Sequence, residues 1–335
     1  MNLRHFSLII THNAKNAIIS PCFSSRLMVY LHAVITMNNK IVSVFLLLLT
    51  TIIWGSAFVS QNIAMEHMQP IAFQAVRCIV AIFGMMPVIM IADRFKKDGK
   101  NFFTRWMDKK LWKAGLLCGI PLFFACNLQQ FGLVDTDAGK AGFLTAMYII
   151  IVPIIGIFRK QKQGLNLLIS IILATAGLYC LSCAEGFRIK SGDLLLLGCA
   201  LMFSFQITAV DVYGGSVDAF RLNALQSLVC AILSSVIMFA TNSVPSFADM
   251  SGCIWPILHT GVLSMGIAYG LQIIGQRNLS PAVATLLMSL ESVFAALFGA
   301  LFLHEKMAGI EAFGCALMFI GVLIAQIPQK EKVHP

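Results

Sequence analysis

The sequence predicts an all-α membrane protein with ten transmembrane helices. Of its 335 residues, 58% are hydrophobic and only 12% are charged, whereas soluble domains are close to half apolar and a quarter charged. The apolar residues form runs of about 20, the length of helix that crosses about 30 Å of hydrocarbon. Because a helix satisfies its own backbone hydrogen bonds in lipid, each run is predicted to be one span.

In chain order, the runs predict spans at 41–61, 70–92, 111–132, 137–158, 164–182, 193–210, 222–241, 253–275, 281–303 and 308–327. The breaks between them are short and carry turn-forming and polar residues, as at 159–164 and 276–281. Consecutive helices are therefore expected to be neighbours joined by tight hairpins.

The basic residues predict the orientation. Four of the 24 Lys and Arg residues fall in the segments on one side, one (Arg77) lies within a span, and the other nineteen lie on the side of both termini. Cytoplasmic loops retain Lys and Arg, so both termini are predicted to face the cytoplasm. The membrane is expected to be a bacterial inner membrane. This distribution accounts for the net charge of +9 and disfavours nucleic-acid binding, which needs a continuous basic face.

The first 36 residues differ from the rest, because they mix polar residues with short apolar stretches and lack the features of a signal peptide. We hypothesise that Met37 is the functional start. Residues 1–36 would then be either a stretch outside the native protein or a disordered extension. The expected domains are two five-helix repeats, 37–183 and 190–328, followed by a cytoplasmic tail, 329–335.

An internal repeat supports this division. A shift of 143 residues aligns six identities without a gap, pairing Ala125, Leu128, Gln129, Gly132, Ala141 and Leu144 with Ala268, Leu271, Gln272, Gly275, Ala284 and Leu287. Five spans separate equivalent elements, and an odd number inserts the second half upside down. The predicted architecture is therefore a 5+5 inverted-topology repeat, an arrangement typical of transporters.

Several short motifs resemble the drug/metabolite transporter superfamily, EamA-type branch. They are Trp54-Gly55-Ser56-Ala57-Phe58, Pro70 with Arg77, Ala141-Gly142-Phe143-Leu144 leading to Pro153, Gly192-Asp193-Leu194, and Ser289-Leu290-Glu291 with Leu303-His304-Glu305. The resemblance covers about 41–327 and rests on the order and spacing of the motifs. In one departure, Ser292 stands where the family often has proline, which removes the usual reason to expect a kink in the ninth span.

The resemblance implies a central cavity lined by the first, third, fourth, sixth, eighth and ninth helices. It also implies secondary transport of a small polar metabolite, amino-acid- or nucleoside-like, by export or exchange. The expected partners are that solute, the lipid bilayer and protons as the coupling ion, with no nucleic acid, and the chain would act as a monomer or homodimer.

Glu291 is the sharpest functional candidate because it lies about mid-depth in the ninth span, with Ser289 beside it. Burial in hydrocarbon disfavours an ionised carboxyl, the property that a proton-coupling group requires. Under the 143-residue shift its counterpart is Tyr148, so the two are expected to face each other across the pseudo-twofold axis. A structural carboxyl bonded to a neighbouring helix is the alternative.

Further polar residues inside the spans could bind a polar solute: Asn127, Gln129 and Gln130 on the third span, and Tyr269 and Gln272 on the eighth. A symmetric packing role between helices is an equal alternative for Gln129 and Gln272. Trp54 is a candidate aromatic wall or a packing residue. Arg77 either binds an anion or pairs within the protein, and pairing is favoured.

A sensor without transport activity or an intramembrane enzyme is the alternative function. The sequence contains no HExxH or GxSxG motif, and no second mid-membrane acid accompanies Glu291. Glycine-rich loops that would bind the phosphates of ATP are also missing. We therefore expect no catalytic residues, no metal and no cofactor, and transport driven by an ion gradient or by the gradient of the solute.

Overall fold

A computed structural model describes residues 21–96, 99, 101–136, 138–161, 164–182, 190–302 and 308–327, with side chains described outside 21–38, 138, 139 and 182. The chain divides into two compact units, Met1–Val42 and Ser43–Pro335. Within the first unit, residues 21–42 are helical. The hypothesis about residues 1–36 falls mostly outside the described residues, and the one about residues 329–335 falls wholly outside them.

The described chain is helical apart from the connections between helices and contains no strand. The helices in order are α1 (Pro21–Met65), α2 (Pro70–Arg94), α3 (Phe102–Trp106), α4 (Lys109–Asp135), α5 (Ala138–Thr145), α6 (Tyr148–Phe158), α7 (Leu165–Ser182), α8 (Ser191–Tyr213), α9 (Ala219–Ala240), α10 (Phe247–Gly252), α11 (Ile254–Leu258), the π-helix π1 (His259–Ala268), α12 (Tyr269–Gln276), α13 (Pro281–Met288), α14 (Glu291–Phe302) and α15 (Gly309–Ala325).

In the described chain, eight helical segments are long and apolar enough to cross a membrane. Two further apolar helices, Leu165–Leu181 and Gly309–Ala325, are shorter. The predicted all-α membrane fold is confirmed, and each predicted span overlaps at least one helix. The count of ten spans and the 5+5 arrangement stay predictions.

Close helix contacts depend on glycine. Helices α7 and α15 pack along each other, and a Cβ added to Gly177 would lie 2.5 Å from the carbonyl oxygen of Gly314. In α4, added Cβ atoms on Gly115 and Gly119 would lie 2.6 Å from Leu225 Cβ and 2.7 Å from Val229 Cβ of α9. These small residues let the helix axes approach closely, as is usual where helices pack in membranes.

The fourth and ninth predicted spans are each broken near their middle. α5 ends at Thr145 and α6 begins at Tyr148, while α13 ends at Met288 and α14 begins at Glu291. The two breaks are equivalent under the 143-residue shift. The sequence, with Ser292 in place of proline, leaves the kink in the ninth span open; the structure has a break there, because a turn at Ser289 and Leu290 interrupts the helix.

The eighth predicted span changes helix type along its length. It consists of α11, π1 and α12, and the N–H of Tyr269 donates to the carbonyl of Ser264, five residues earlier. π-Helical hydrogen bonding is rare in proteins, and where it does occur it is often at a functional site. Ser264 and Met265 lie in this segment, and both contribute to the cavity described next.

Candidate functional site

A small, partly open cavity of about 30 Å³ lies where the broken spans meet α1, α2, α4, α8 and the π1–α12 segment. Its lining combines aromatic, amide and charged side chains: Trp54, Phe58, Gln61, Arg77, Gln129, Tyr148, Phe203, Ile207, Ser264, Met265, Tyr269, Gln272 and Glu291. All six spans that the resemblance implied contribute to this lining. The second span also contributes, through Arg77.

The structure brings together most of the residues predicted for the site. Seven of them line the cavity: Trp54, Arg77, Gln129, Tyr148, Tyr269, Gln272 and Glu291. Asn127, Gln130 and Ser289 do not. Asn127 donates to Ser234 at 3.1 Å, Gln130 lies 3.8 Å from Met65 Sδ, and the hydroxyl of Ser289 donates to the carbonyl of Leu286 at 2.9 Å.

Tyr148 and Glu291 join the two broken spans. The Tyr148 hydroxyl donates to Glu291 Oε1 at 2.8 Å, and both side chains are almost completely buried. Each residue is the first of its half-helix, α6 or α14. The face-to-face contact expected from the repeat is therefore present at the cavity wall.

A second contact between residues 143 positions apart lies nearby. Cys126 Sγ and the Tyr269 hydroxyl are 3.7 Å from each other, and Tyr269 lines the cavity. Two residues related by a twofold axis can touch only if both lie close to that axis. The Tyr148–Glu291 and Cys126–Tyr269 contacts therefore fit a pseudo-twofold axis that passes through the cavity.

Arg77 is a buried cation held by neutral groups. It donates from Nη1 to Gln61 Oε1 at 2.6 Å and from Nε to Gln74 Oε1 at 2.7 Å, and its guanidinium lies 5.5 Å from the centre of the Phe73 ring. No carboxylate of the described chain lies within 4.0 Å of it. The cavity therefore has a positive charge on one wall and the Glu291 carboxyl on another.

Two buried polar atoms at the cavity have no hydrogen-bond partner within the described chain. They are the indole Nε1 of Trp54, a donor, and Oε1 of Gln272, an acceptor. The Trp54 ring also contacts Tyr269, with ring centres 4.8 Å apart. An unpaired buried donor and acceptor cost free energy, and each atom would gain a partner from a bound molecule that reached it.

Sequence reasoning missed six lining residues: Phe58, Gln61, Phe203, Ile207, Ser264 and Met265. Gln61 carried a usable signal, because an amide at the end of an apolar run is costly in lipid and usually faces the bundle interior. The apolar residues carried no such signal, since phenylalanine and isoleucine are common throughout the spans.

Comparison with known proteins identifies the family. The model of the EamA-like transporter family matches the chain twice, at 41–183 and 190–326. The chain belongs to this family. It is accordingly a multi-pass membrane protein of a transporter family, and the resemblance in the motifs around Trp54 and Glu291 is confirmed.

Relatives of this EamA-like chain include an uncharacterised transporter of Archaeoglobus fulgidus, 32% identical over 84% of each chain. An uncharacterised transporter of Bacillus subtilis, YoaV, is 23% identical over 82% of this chain and 93% of its own. One solved crystal structure superposes with a TM-score of 0.71, covering 85% of this chain and 96% of the other at 16% identity, which establishes a shared fold.

Proposed function

We propose that this EamA-like chain is a secondary transporter that exports or exchanges a small polar metabolite, amino-acid- or nucleoside-like, by alternating access. The observation that carries the proposal is the cavity at the junction of two broken helices, where Tyr148 donates to Glu291. Broken helices that meet around a midplane cavity are typical of the substrate site in transporters built from inverted repeats.

The contacts between repeat-related residues support the alternating-access mechanism. If the two halves rock against each other, contacts near the pseudo-twofold axis persist while those far from it open and close. The Tyr148–Glu291 hydrogen bond lies near this axis and would couple the halves in both states. Under this proposal ten spans form two inverted sets of five in a bacterial inner membrane, with both termini cytoplasmic.

Proton coupling would depend on Glu291. Its carboxyl is buried at the cavity wall and one of its oxygens accepts from Tyr148. A carboxyl in this position can exchange a proton with the cavity each time the cavity opens to water. Binding and release of the solute would then be linked to the protonation state of the same cavity.

A binding screen tests the solute site. The detergent-purified chain is heated with a panel of amino acids, nucleosides and vitamins at two pH values, and a ligand of the folded state raises the melting temperature by mass action. A selective shift that changes with pH supports the proposal. If no compound of the panel raises the melting temperature, a sensor or a solute of another chemical class is favoured.

Replacing Glu291 with glutamine tests the coupling role. Glu291→Gln keeps the shape and the hydrogen bond from Tyr148 but cannot release a proton, so we expect proton movement driven by the solute that emerges from the screen to fall to background in proteoliposomes. Glu66→Gln is the matched control, because Glu66 is exposed at the end of α1. Wild-type proton flux with an unchanged pH profile in Glu291→Gln would refute the coupling role.

A further inference from the structure

Asn223 in α9 faces three hydrogen-bond acceptors. Its amide nitrogen lies 2.9 Å from the carbonyl oxygen of Met265, 2.7 Å from that of Gly266 and 3.0 Å from Met85 Sδ. The side chain is completely buried. The two carbonyls belong to π1, so this contact ties α9 to the π-helical segment of the eighth predicted span.

Three glutamines extend this contact to the cavity. Gln226 donates to Asn223 Oδ1 at 2.8 Å, Gln206 donates to Gln226 Oε1 at 3.3 Å, and Gln272 donates to Gln206 Oε1 at 3.4 Å. All four side chains are buried. We call this set of four amides the amide chain. It runs from π1 through α9 and α8 to Gln272 at the cavity wall.

The backbone of π1 fixes the direction of the amide chain. If Asn223 turned its amide round, its oxygen would face two carbonyl oxygens and a thioether, none of which carries a hydrogen to donate. Asn223 Oδ1 is therefore held as an acceptor, and Gln226 must donate to it. The same orientation is required of every member of the amide chain, because each amide that donates with its nitrogen must present its oxygen to the next amide.

The end of the amide chain sets what the cavity offers a solute. The nitrogen of Gln272 is committed to Gln206, so its Oε1 is left without a partner in the described chain. Gln272 by itself could present either its NH₂ or its oxygen to the cavity. Anchored through the amide chain, it presents the oxygen, an acceptor.

We infer that Asn223 is a positioning residue that determines solute specificity: through the amide chain it holds Gln272 Oε1 toward the cavity and selects solutes that bring an N–H or O–H group to that point. This inference rests on the proposed function, since it requires the cavity to hold the solute. Trp54 Nε1 supplies a donor in the same cavity. The solute class is thereby narrowed to polar molecules that carry both a hydrogen-bond donor and a hydrogen-bond acceptor.

Two probes that differ in one donor group test the inference. Nicotinamide carries an amide with N–H donors, whereas N,N-dimethylnicotinamide keeps the ring and the carbonyl but has no donor. Both are titrated against the purified full-length protein by thermal shift. Because a site with a fixed acceptor rejects an analogue that lacks the donor, the wild type should bind nicotinamide at least about tenfold more tightly.

Asn223→Leu removes the anchor and should bring this affinity ratio to about one, since Gln272 can then turn its NH₂ to the cavity and donate to the carbonyl of the methylated probe. Ser227→Ala is the matched control on α9, because Ser227 is fully buried and its hydroxyl has no partner in the described chain. It should keep the wild-type ratio. If Asn223→Leu fails to fold, Gln226→Met breaks the amide chain while leaving the bonds from Asn223 to π1.

The ratio of the affinities for the two probes distinguishes a loss of stability, the absence of a fixed acceptor and the absence of a solute site. A variant that is merely less stable melts at a lower temperature but keeps the preference for nicotinamide, and that result would overturn the role of Asn223 while leaving the solute site intact. Equal affinity of the wild type for both probes would overturn the fixed acceptor. If the wild type binds neither probe, the cavity fails as a site for such solutes, and the inference falls with that part of the proposed function.

Discussion

Two buried arginines are stabilised in different ways. Arg221, at the start of α9, forms an ion pair with Asp93 and lies 5.6 Å and 5.4 Å from the ring centres of Phe102 and Trp106. Arg77 in the cavity is held by amide oxygens and an aromatic ring. A buried charge with a carboxylate partner contributes to structure, whereas one with neutral partners can attract a charged or polar ligand.

The carboxyl of Asp218, which lies next to Arg221 at the start of α9, stabilises the fold in a way that depends on pH. Burial acts to raise the pKa of Asp218, but hydrogen bonds from Lys96 and from the backbone N–H of Arg221 outweigh it, and the pKa lies below its ordinary value. A carboxyl with a lowered pKa in the folded state stabilises the fold above its unfolded pKa of about 4. That contribution is lost as the pH falls through the lower folded value.

We therefore expect Asp218→Asn to melt at a lower temperature than the wild type at pH 7, by about 1–2 °C if the partly exposed ion pair with Lys96 contributes about 1 kcal/mol. The difference should shrink as the pH falls from about 4, where the carboxyl of the unfolded chain becomes protonated, through the lower pKa of the folded state. Asparagine still caps the helix, so capping is preserved. Thermal melts of both proteins between pH 3 and pH 7 measure this, and a difference that is constant with pH would contradict it.

At the scale of the helices, the break before Glu291 is held by a close contact with α1. A Cβ added to Gly55 would lie 2.5 Å from Phe294 Cβ, 2.8 Å from the backbone nitrogen of Ala295 and 2.9 Å from the carbonyl oxygen of Glu291. Two of these three atoms belong to the backbone and cannot move aside by a change of rotamer. Gly55 therefore sets how closely α14 approaches α1.

Gly55→Ala should displace α14 and destabilise the protein by about 1–3 kcal/mol, the usual cost of overpacking. The melting temperature would fall by about 1–5 °C, since each kcal/mol lowers it by about 1–2 °C in a chain of 335 residues. Gly198→Ala in α8 is the control, because its added Cβ would meet Leu128 Cδ1 at an ordinary 3.4 Å. Equal melting temperatures for the two variants would show that α14 can yield at this contact.

For the whole molecule, the distribution of Lys and Arg predicts the orientation in the membrane. A green fluorescent protein fused to the C-terminus should fluoresce, and alkaline phosphatase at the same position should be inactive, because both termini are proposed to be cytoplasmic. Fusions placed after residue 182, between the proposed repeats, are the matched control and should give the opposite result. An active phosphatase at the C-terminus would contradict the proposed topology.

The sequence by itself determined the class of the fold and the positions of its helices. Each apolar run must satisfy its backbone hydrogen bonds within itself in lipid, so its length and composition are enough to predict a helix. The 143-residue shift also pairs Tyr148 with Glu291, which are hydrogen-bonded in the structure. Such a contact is expected where two repeat-related residues lie close to the axis of the proposed inverted repeat.

Only the tertiary structure decided which polar side chains face the cavity. Asn127 and Gln129 are two positions apart, which places them about 200° apart around the helix. Asn127 turns to Ser234 of α9, and Gln129 turns to the cavity. The glycines of α4 pack closely against α9, and contacts of this kind between distant helices are not encoded within a single span.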